Sequence, residues 1–200
     1  MERLSAISSL RVSQQKEWGE IITGFETKNK YAVSDEAGRN LYIVAEKHGP
    51  TLVRWLLKAL RPFTIDILAE NGQVVLQVIR PFRVYFHQAR ILDSQNRSLG
   101  VIERRFSILR RTYSVINSSG EEACTISGPI MQPWTFHIRS DGIDCGKITK
   151  KWSGLLKATF TDADDFNVTF PVEWNVRLKA LVLGAVFLID FVHFENKGRH

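Results

Sequence analysis

The densest run of residues able to do chemistry is acidic. Asp162, Asp164 and Asp165 fall within four residues, and Glu173 follows eleven after Asp162. Carboxylates at relative positions 1, 3 and 12 echo a calcium loop, whose hard oxygen donors suit a hard cation. Phe166 and Asn167 stand where a fifth-position ligand and a sixth-position glycine belong. An acidic loop between two strands is therefore the rival reading. Basic residues form a second group: Arg104, Arg105, Arg110, Arg111, Lys147, Lys150 and Lys151, with Phe106, Tyr113 and Trp152 among them. Cations interleaved with aromatic rings serve either single-stranded nucleic acid or an anionic lipid surface. An ordinary solvated basic face is the third reading of the same residues.

The remaining chemistry is sparse. His48, His87, His137, His193 and His200 have no i,i+4 partner and no neighbouring cysteine, which argues against zinc. No P-loop, dinucleotide glycine pattern or nucleophile elbow occurs. Hydrolase, transferase and redox chemistry find no support, so the sequence reads as a binding or transport protein rather than an enzyme. The 200 residues are 44% apolar and carry a formal net charge of +6, enough for a packed core and a surface that favours polyanions. Cys124 and Cys145 are too few and too far apart for a disulfide framework, so a reducing compartment is expected. The first residues lack the apolar run of an export signal.

Most of the chain has the pattern of strands broken by turn residues. Tyr31–Val44, Phe63–Val78, Arg90–Ile102, Tyr113–Ile126 and Phe136–Ile148 each read as strand, turn, strand. Asn71-Gly72 carries the strongest hairpin signal, with positive φ angles expected at a tight turn. A meander this long must close on itself or cover its edges, which favours a barrel. Two segments depart from this pattern. Thr51–Leu60 reads as a short helix, with Trp55 beside Leu52, Leu56 and Leu60 as a candidate apolar wedge at a membrane surface. Residues 176–194 read as a helix that is apolar on every side, through Leu181, Leu183, Val186, Phe187 and Ile189. Such a helix lies inside protein or inside a bilayer. Its Leu178–Phe194 window spans roughly 26 Å, short of the ~30 Å hydrocarbon layer, and it carries Lys179 and Asp190, so enclosure by strands is expected.

Several strings resemble the phospholipid scramblase family. They are Thr23–Tyr31 (TGFETKNKY), Arg61–Thr64 (RPFT), Ile79–Arg83 (IRPFR), Ile126–Pro129 (ISGP), Gly146–Trp152 (GKITKKW), Phe160–Phe166 (FTDADDF) and Gly184–Phe191 (GAVFLIDF), in family order. The resemblance implies a fold like that of Tubby C-terminal and LURP-one-related domains, with twelve strands around a C-terminal helix. It also implies calcium-dependent, energy-independent movement of phospholipid between leaflets, with Asp162, Asp164, Asp165 and Glu173 as the calcium set. The family's cysteine clusters would fall after Glu46 and after Arg83, where this chain has none, and a Pro-rich SH3- or WW-binding segment is lacking. Lys147–Lys151 matches the family's atypical nuclear-import stretch.

The expectation is therefore a mainly β protein, a closed antiparallel barrel of about twelve strands enclosing a hydrophobic C-terminal helix. Residues 1–20 are expected as an extension, 21–197 as the barrel domain with its helix at 176–194, and 198–200 as a tail. The expected activity is scrambling, or assistance to it, at the cytoplasmic side of a plasma or organelle membrane. The expected partners are anionic phospholipid and calcium, and nucleic acid or protein partners and a nuclear location stay open. The alternative is a Tubby-like module that binds anionic lipid, DNA or protein without moving lipid. Lipid or nucleic-acid contact is assigned to Arg104, Arg105, Arg110, Arg111, Lys147, Lys150, Lys151 and Trp55.

Overall fold

The computed structural model describes residues 1–15, 30–47, 62–82, 87–151 and 165–194. Twelve antiparallel strands close into a barrel. They are β1 (Ser9–Gln15), β2 (Lys30–Ser34), β3 (Asn40–Glu46), β4 (Phe63–Leu68), β5 (Val74–Arg80), β6 (Gln88–Asp93), β7 (Ser98–Arg105), β8 (Arg110–Asn117), β9 (Glu122–Pro129), β10 (Thr135–Ser140), β11 (Ile143–Lys151) and β12 (Asp165–Thr169). Sequential strands are neighbours throughout, and β1 pairs with β12 from Ser9↔Thr169 to Ser13↔Asp165 to close the ring. Closure removes both sheet edges, which answers the edge problem of a long meander. The five expected hairpins are β2–β3, β4–β5, β6–β7, β8–β9 and β10–β11.

The N-terminal residues depart from expectation. Glu2–Leu4 forms a 3-10 turn with Leu4 fully buried, and β1 completes the ring. Residues 1–15 thus belong to the barrel rather than to an extension of it, and residues 16–20 lie outside the described residues. The short run Leu10-Arg11-Val12 was too polar around its two apolar residues to read as a strand in sequence.

Four hairpins share one turn. In Asp35–Arg39, Ala69–Gln73, Asp93–Arg97 and Asn117–Glu121, the fourth residue donates its N–H to the first residue's carbonyl, and the ladder register shifts beside the turn. Only that fourth residue has positive φ: Gly38, Gly72, Asn96 and Gly120. This is a type I turn closed by a bulge rather than the two-residue turn that Asn71-Gly72 implied. Asp141-Gly142, with φ of 51° and 79°, is the two-residue form.

The C-terminal helix, Val176–His193, runs through the barrel. Asn175 caps it, accepting from the Leu178 N–H at 2.9 Å. Every residue from Lys179 to Phe191 is buried, including Leu181, Leu183, Val186, Phe187 and Ile189. Inward-facing residues of every strand share one core with it, and its Lys179–Phe191 stretch is buried all round. No described helix is long and apolar enough to cross a membrane. Lys179, fully buried in this stretch, directs its ammonium at the carbonyls of Val172 (2.7 Å), Ser5 (2.8 Å), Ile7 (2.9 Å) and Leu4 (3.1 Å). Burial lowers its pKa, and Glu173 opposes that shift. One cation thereby ties the start of the chain to the start of the helix.

Candidate functional site

The two barrel mouths differ. All five hairpin turns close the mouth at the helix N-terminus. At the other mouth, where the helix ends, lie the ends of β1, β3, β5, β7, β9 and β11 and the starts of the strands that follow them. Most of the basic residues singled out in the sequence sit on strand ends at this second mouth, and the twofold alternation of a strand decides where each points.

Arg104 follows Ile102 on the inward face of β7, and Arg111 precedes Tyr113 on the inward face of β8. Lys150 follows Ile148 on the inward face of β11. Arg105, Arg110, Lys147 and Lys151 face outward and are exposed. Each adjacent pair of basic residues is thus split by the wall, one cation into the mouth and one onto the outer surface. Arg105 donates to Ser114 Oγ at 2.8 Å and lies 3.8 Å from the Glu122 carboxylate.

Lys150 does not belong to a solvent-facing contact surface. It is buried, with Nζ 3.0 Å from Asp190 Oδ1 and above the rings of Phe194 (4.3 Å) and Phe166 (4.9 Å). Tyr31 donates to Asp190 Oδ2 at 2.9 Å. Lys150 lies within the stretch that matches the nuclear-import segment, so only Lys147 and Lys151 of its lysines face outward. Arg111 is also structural: its guanidinium donates to the carbonyls of Pro133 (2.8 Å), Gln132 (2.9 Å) and Pro129 (3.1 Å) above the Phe136 ring. Burial lowers its pKa. Trp55 lies outside the described residues, as does the Thr51–Leu60 segment.

Arg80, His87, Tyr113 and His193 complete the mouth. Arg80 is buried between Phe63 and Phe191, 5.9 and 4.7 Å from their centroids, with Nη2 2.5 Å from His87 Nδ1. Burial, then the charges of Arg80 and Arg104, push the His87 pKa down to about 4. Neutral His87 can accept from Arg80, and protonated His87 cannot. Tyr113 OH and His193 Nε2 are 2.7 Å apart. In sequence, Tyr113 stands only as an aromatic among the cations and His87 and His193 only as scattered histidines, while Arg80 and Tyr31 lie in the IRPFR and TGFETKNKY strings, where strand parity marks both as inward. Among the described residues, the inward-facing cations Arg80, Arg104, Arg111 and Lys150 outnumber the inward-facing carboxylates of Glu46 and Asp190 at this mouth. That balance of inward-facing charge favours anionic groups.

The acidic set does not form one loop. Asp165 opens β12 at the second mouth, while Glu173 lies beyond the far end of that strand, beside the helix N-terminus. Strand rise separates Asp165 from Phe170 by roughly 16 Å. Glu173 therefore cannot close a ligand shell around Asp165, and the spacing of positions 1 and 12 is lost because a strand intervenes. Asp162 and Asp164 lie outside the described residues. Asp165 pairs with Arg11 through Oδ2, while its buried Oδ1 has no hydrogen-bond partner among the described residues. A hard cation accepts such an oxygen, so Asp165 fits a calcium set that Glu173 does not. No group of three or more His, Cys, Asp or Glu among the described residues is arranged to hold a metal.

A barrel of twelve strands around a buried helix, with these strings in order, coincides with one sequence family. The Scramblase family profile matches residues 1–196. The chain belongs to the scramblase family. Phospholipid scramblase 1 of Homo sapiens is 34% identical over 212 residues, covering 99% of this chain and 66% of that protein. Phospholipid scramblase 2 of Bos taurus is 34% identical over 209 residues, covering 98% and 71%. Phospholipid scramblase 4 of Homo sapiens is 31% identical over 212 residues, covering 98% and 64%. The chain thus spans about two thirds of the length of these scramblases. No solved structure matches the chain significantly.

Proposed function

We propose that this chain acts at an anionic phospholipid surface and moves phospholipid between leaflets, or assists that movement, without covalent chemistry or ATP. The observation that carries this reading is a scramblase match along residues 1–196, whose relatives are named as phospholipid scramblases. The positive mouth supports an anionic headgroup as the ligand. Calcium is proposed as a modulator held by Asp165 with Asp162 and Asp164, and it would supply a charge bridge to lipid phosphate. The proposed setting is the cytoplasmic face of a plasma or organelle membrane.

A second reading is favoured by the enclosed helix. With Lys179–Phe191 buried in the barrel, the helix offers headgroups no polar path across a bilayer. The chain would then bind anionic lipid, in the manner of a Tubby-like module, without moving it. Liposomes carrying a labelled lipid in one leaflet separate the two. Label movement on adding protein, without ATP and increased by calcium, supports scrambling. Binding without movement supports the second reading, and failure to bind anionic liposomes overturns both.

A further inference from the structure

The two ends of the barrel differ in chemistry as well as in connection length. The tips of the hairpin turns at the helix N-terminal mouth are polar or acidic: Glu36, Glu70, Ser94, Ser118 and Asp141. Among the described residues, the tips of the opposite rim are apolar. Phe106, Ile108 and Leu109 of the β7–β8 connection are 82%, 76% and 78% exposed, and Met131 of the β9–β10 connection is 90% exposed. Ile130 and Phe82 on the same rim are about half exposed. Only Ile143 and Val172, among the exposed large apolar side chains of the described residues, lie at the other mouth.

The two apolar connections are held side by side. Ile130 N–H donates to Leu109 O at 3.4 Å, and Arg111 at the foot of one connection donates to the Pro129, Gln132 and Pro133 carbonyls of the other. The residues that project from them are therefore presented on a braced frame. Immediately behind the β7–β8 tip stand the outward cations Arg105 and Arg110, and Lys151 ends β11 at the same mouth.

We infer that this rim is the surface by which the barrel docks on an anionic bilayer, with the helix C-terminal mouth facing the lipid and the acidic turns facing away. Large apolar side chains at the β7–β8 tip, with Arg105 and Arg110 one residue behind them, and Met131 exposed on the braced neighbouring tip match the interface of a bilayer. The tips enter the acyl boundary while the cations stay at the depth of the phosphates. The charge separation between the two mouths orients the barrel in the same sense. The assignment rests on the proposed action at a phospholipid surface and adds which surface meets the lipid.

Two sets of variants test it. In a Cys145→Ser background, with Cys124 buried, an environment-sensitive fluorophore is placed at Met131→Cys on the rim or at Ser118→Cys on the opposite mouth. Vesicles of phosphatidylcholine with phosphatidylserine should shift the Met131 probe to shorter wavelength and leave the Ser118 probe unchanged. Phe106→Ser, Ile108→Ser, Leu109→Ser and Met131→Ser combined should weaken vesicle binding by about tenfold or more, with an unchanged circular dichroism spectrum. Ile143→Ser with Val172→Ser should bind as the parent does. Parental binding by the four-residue variant, or a response of the Ser118 probe in place of Met131, overturns the docking surface while leaving lipid binding intact. A Met131 shift that needs only higher protein concentration identifies a contact between copies instead and also overturns it. No binding of the parent to these vesicles overturns the proposed function together with this inference.

Discussion

Lys150 Nζ and Asp190 Oδ1 sit 3.0 Å apart with both side chains almost wholly out of water. An ion pair thus joins the barrel wall to the last turns of the enclosed helix, and Tyr31 on β2, three strands round the ring, holds the second carboxylate oxygen. Removing one member leaves a charge where water cannot reach it. Asp190→Ala should cost about 3–5 kcal/mol in denaturant unfolding, while Lys150→Met with Asp190→Leu should recover most of that loss. A single-variant cost under about 1 kcal/mol would show that the pair is solvated.

The Lys179 cluster makes a separate prediction. Lys179→Met keeps the length of the side chain and removes the ammonium that faces the Leu4, Ser5, Ile7 and Val172 carbonyls. Unfolding stability should fall by about 2–4 kcal/mol, and hydrogen exchange should accelerate first in residues 1–8. Protection that drops evenly along the chain would count against a local tie.

Two glycines should respond differently to the same change. A Cβ on Gly146 would meet Thr169 O at 2.1 Å, which is backbone of the paired strand. A Cβ on Gly184 would meet Ile91 Cδ1 at 2.4 Å, the end of a side chain that can rotate. Gly146→Ala should therefore destabilise by about 2 kcal/mol or more, and Gly184→Ala by about 1 kcal/mol or less, as read from thermal unfolding. The reverse order would place the tight contact at the helix rather than at the β11–β12 ladder.

His87 sets a pH window. Its folded pKa of about 4 lies below the ordinary histidine value of 6.5, so between these limits the unfolded chain binds more protons. Stability is fully present above pH 6.5 and is lost as pH falls toward 4. The loss should be on the order of 1–2 kcal/mol, allowing for the half-exposed ring. His87→Gln should flatten this part of the curve. The hairpin carboxylates act lower, since Asp35 and Asp93 are held below the usual carboxylate range chiefly by backbone N–H donors of Arg39 and Arg97. An unchanged slope in His87→Gln would remove His87 as the source.

Calcium should bind weakly, with a dissociation constant of roughly 10⁻⁴–10⁻³ M, because Phe166 and Pro171 bring no side-chain ligand to the acidic stretch. Isothermal titration should show that heat reduced or abolished in Asp162→Ala and in Asp165→Ala, and unchanged in Glu173→Ala. No heat in the parent, or equal heat in parent and Asp162→Ala, would return this segment to an acidic inter-strand connection.

Much of the architecture was legible in the residues. Alternating apolar positions and Asp/Asn/Gly turns mark five hairpins, and the uninterrupted apolar run Ala180–Ile189 marks a helix with no face for water. Both signals are local and survive without knowledge of neighbours. The closing strands were not legible. Leu10-Arg11-Val12 and Phe166-Asn167-Val168 each offer two apolar residues, and they become strands because they complete each other and the ring across 154 residues of chain. That second strand also carries off Glu173, so a spacing that looks like a cation loop in one dimension is stretched along the barrel wall in three. Parity decided the basic residues. Lys150 and Lys151 are equivalent in charge and adjacent in sequence, but a pleated strand sends one to Asp190 and the other to solvent. The sequence alone determined which residues are apolar, charged or turn-forming. The tertiary structure decided which cations are spent on the helix and which face outward, because wall side and depth depend on register and closure.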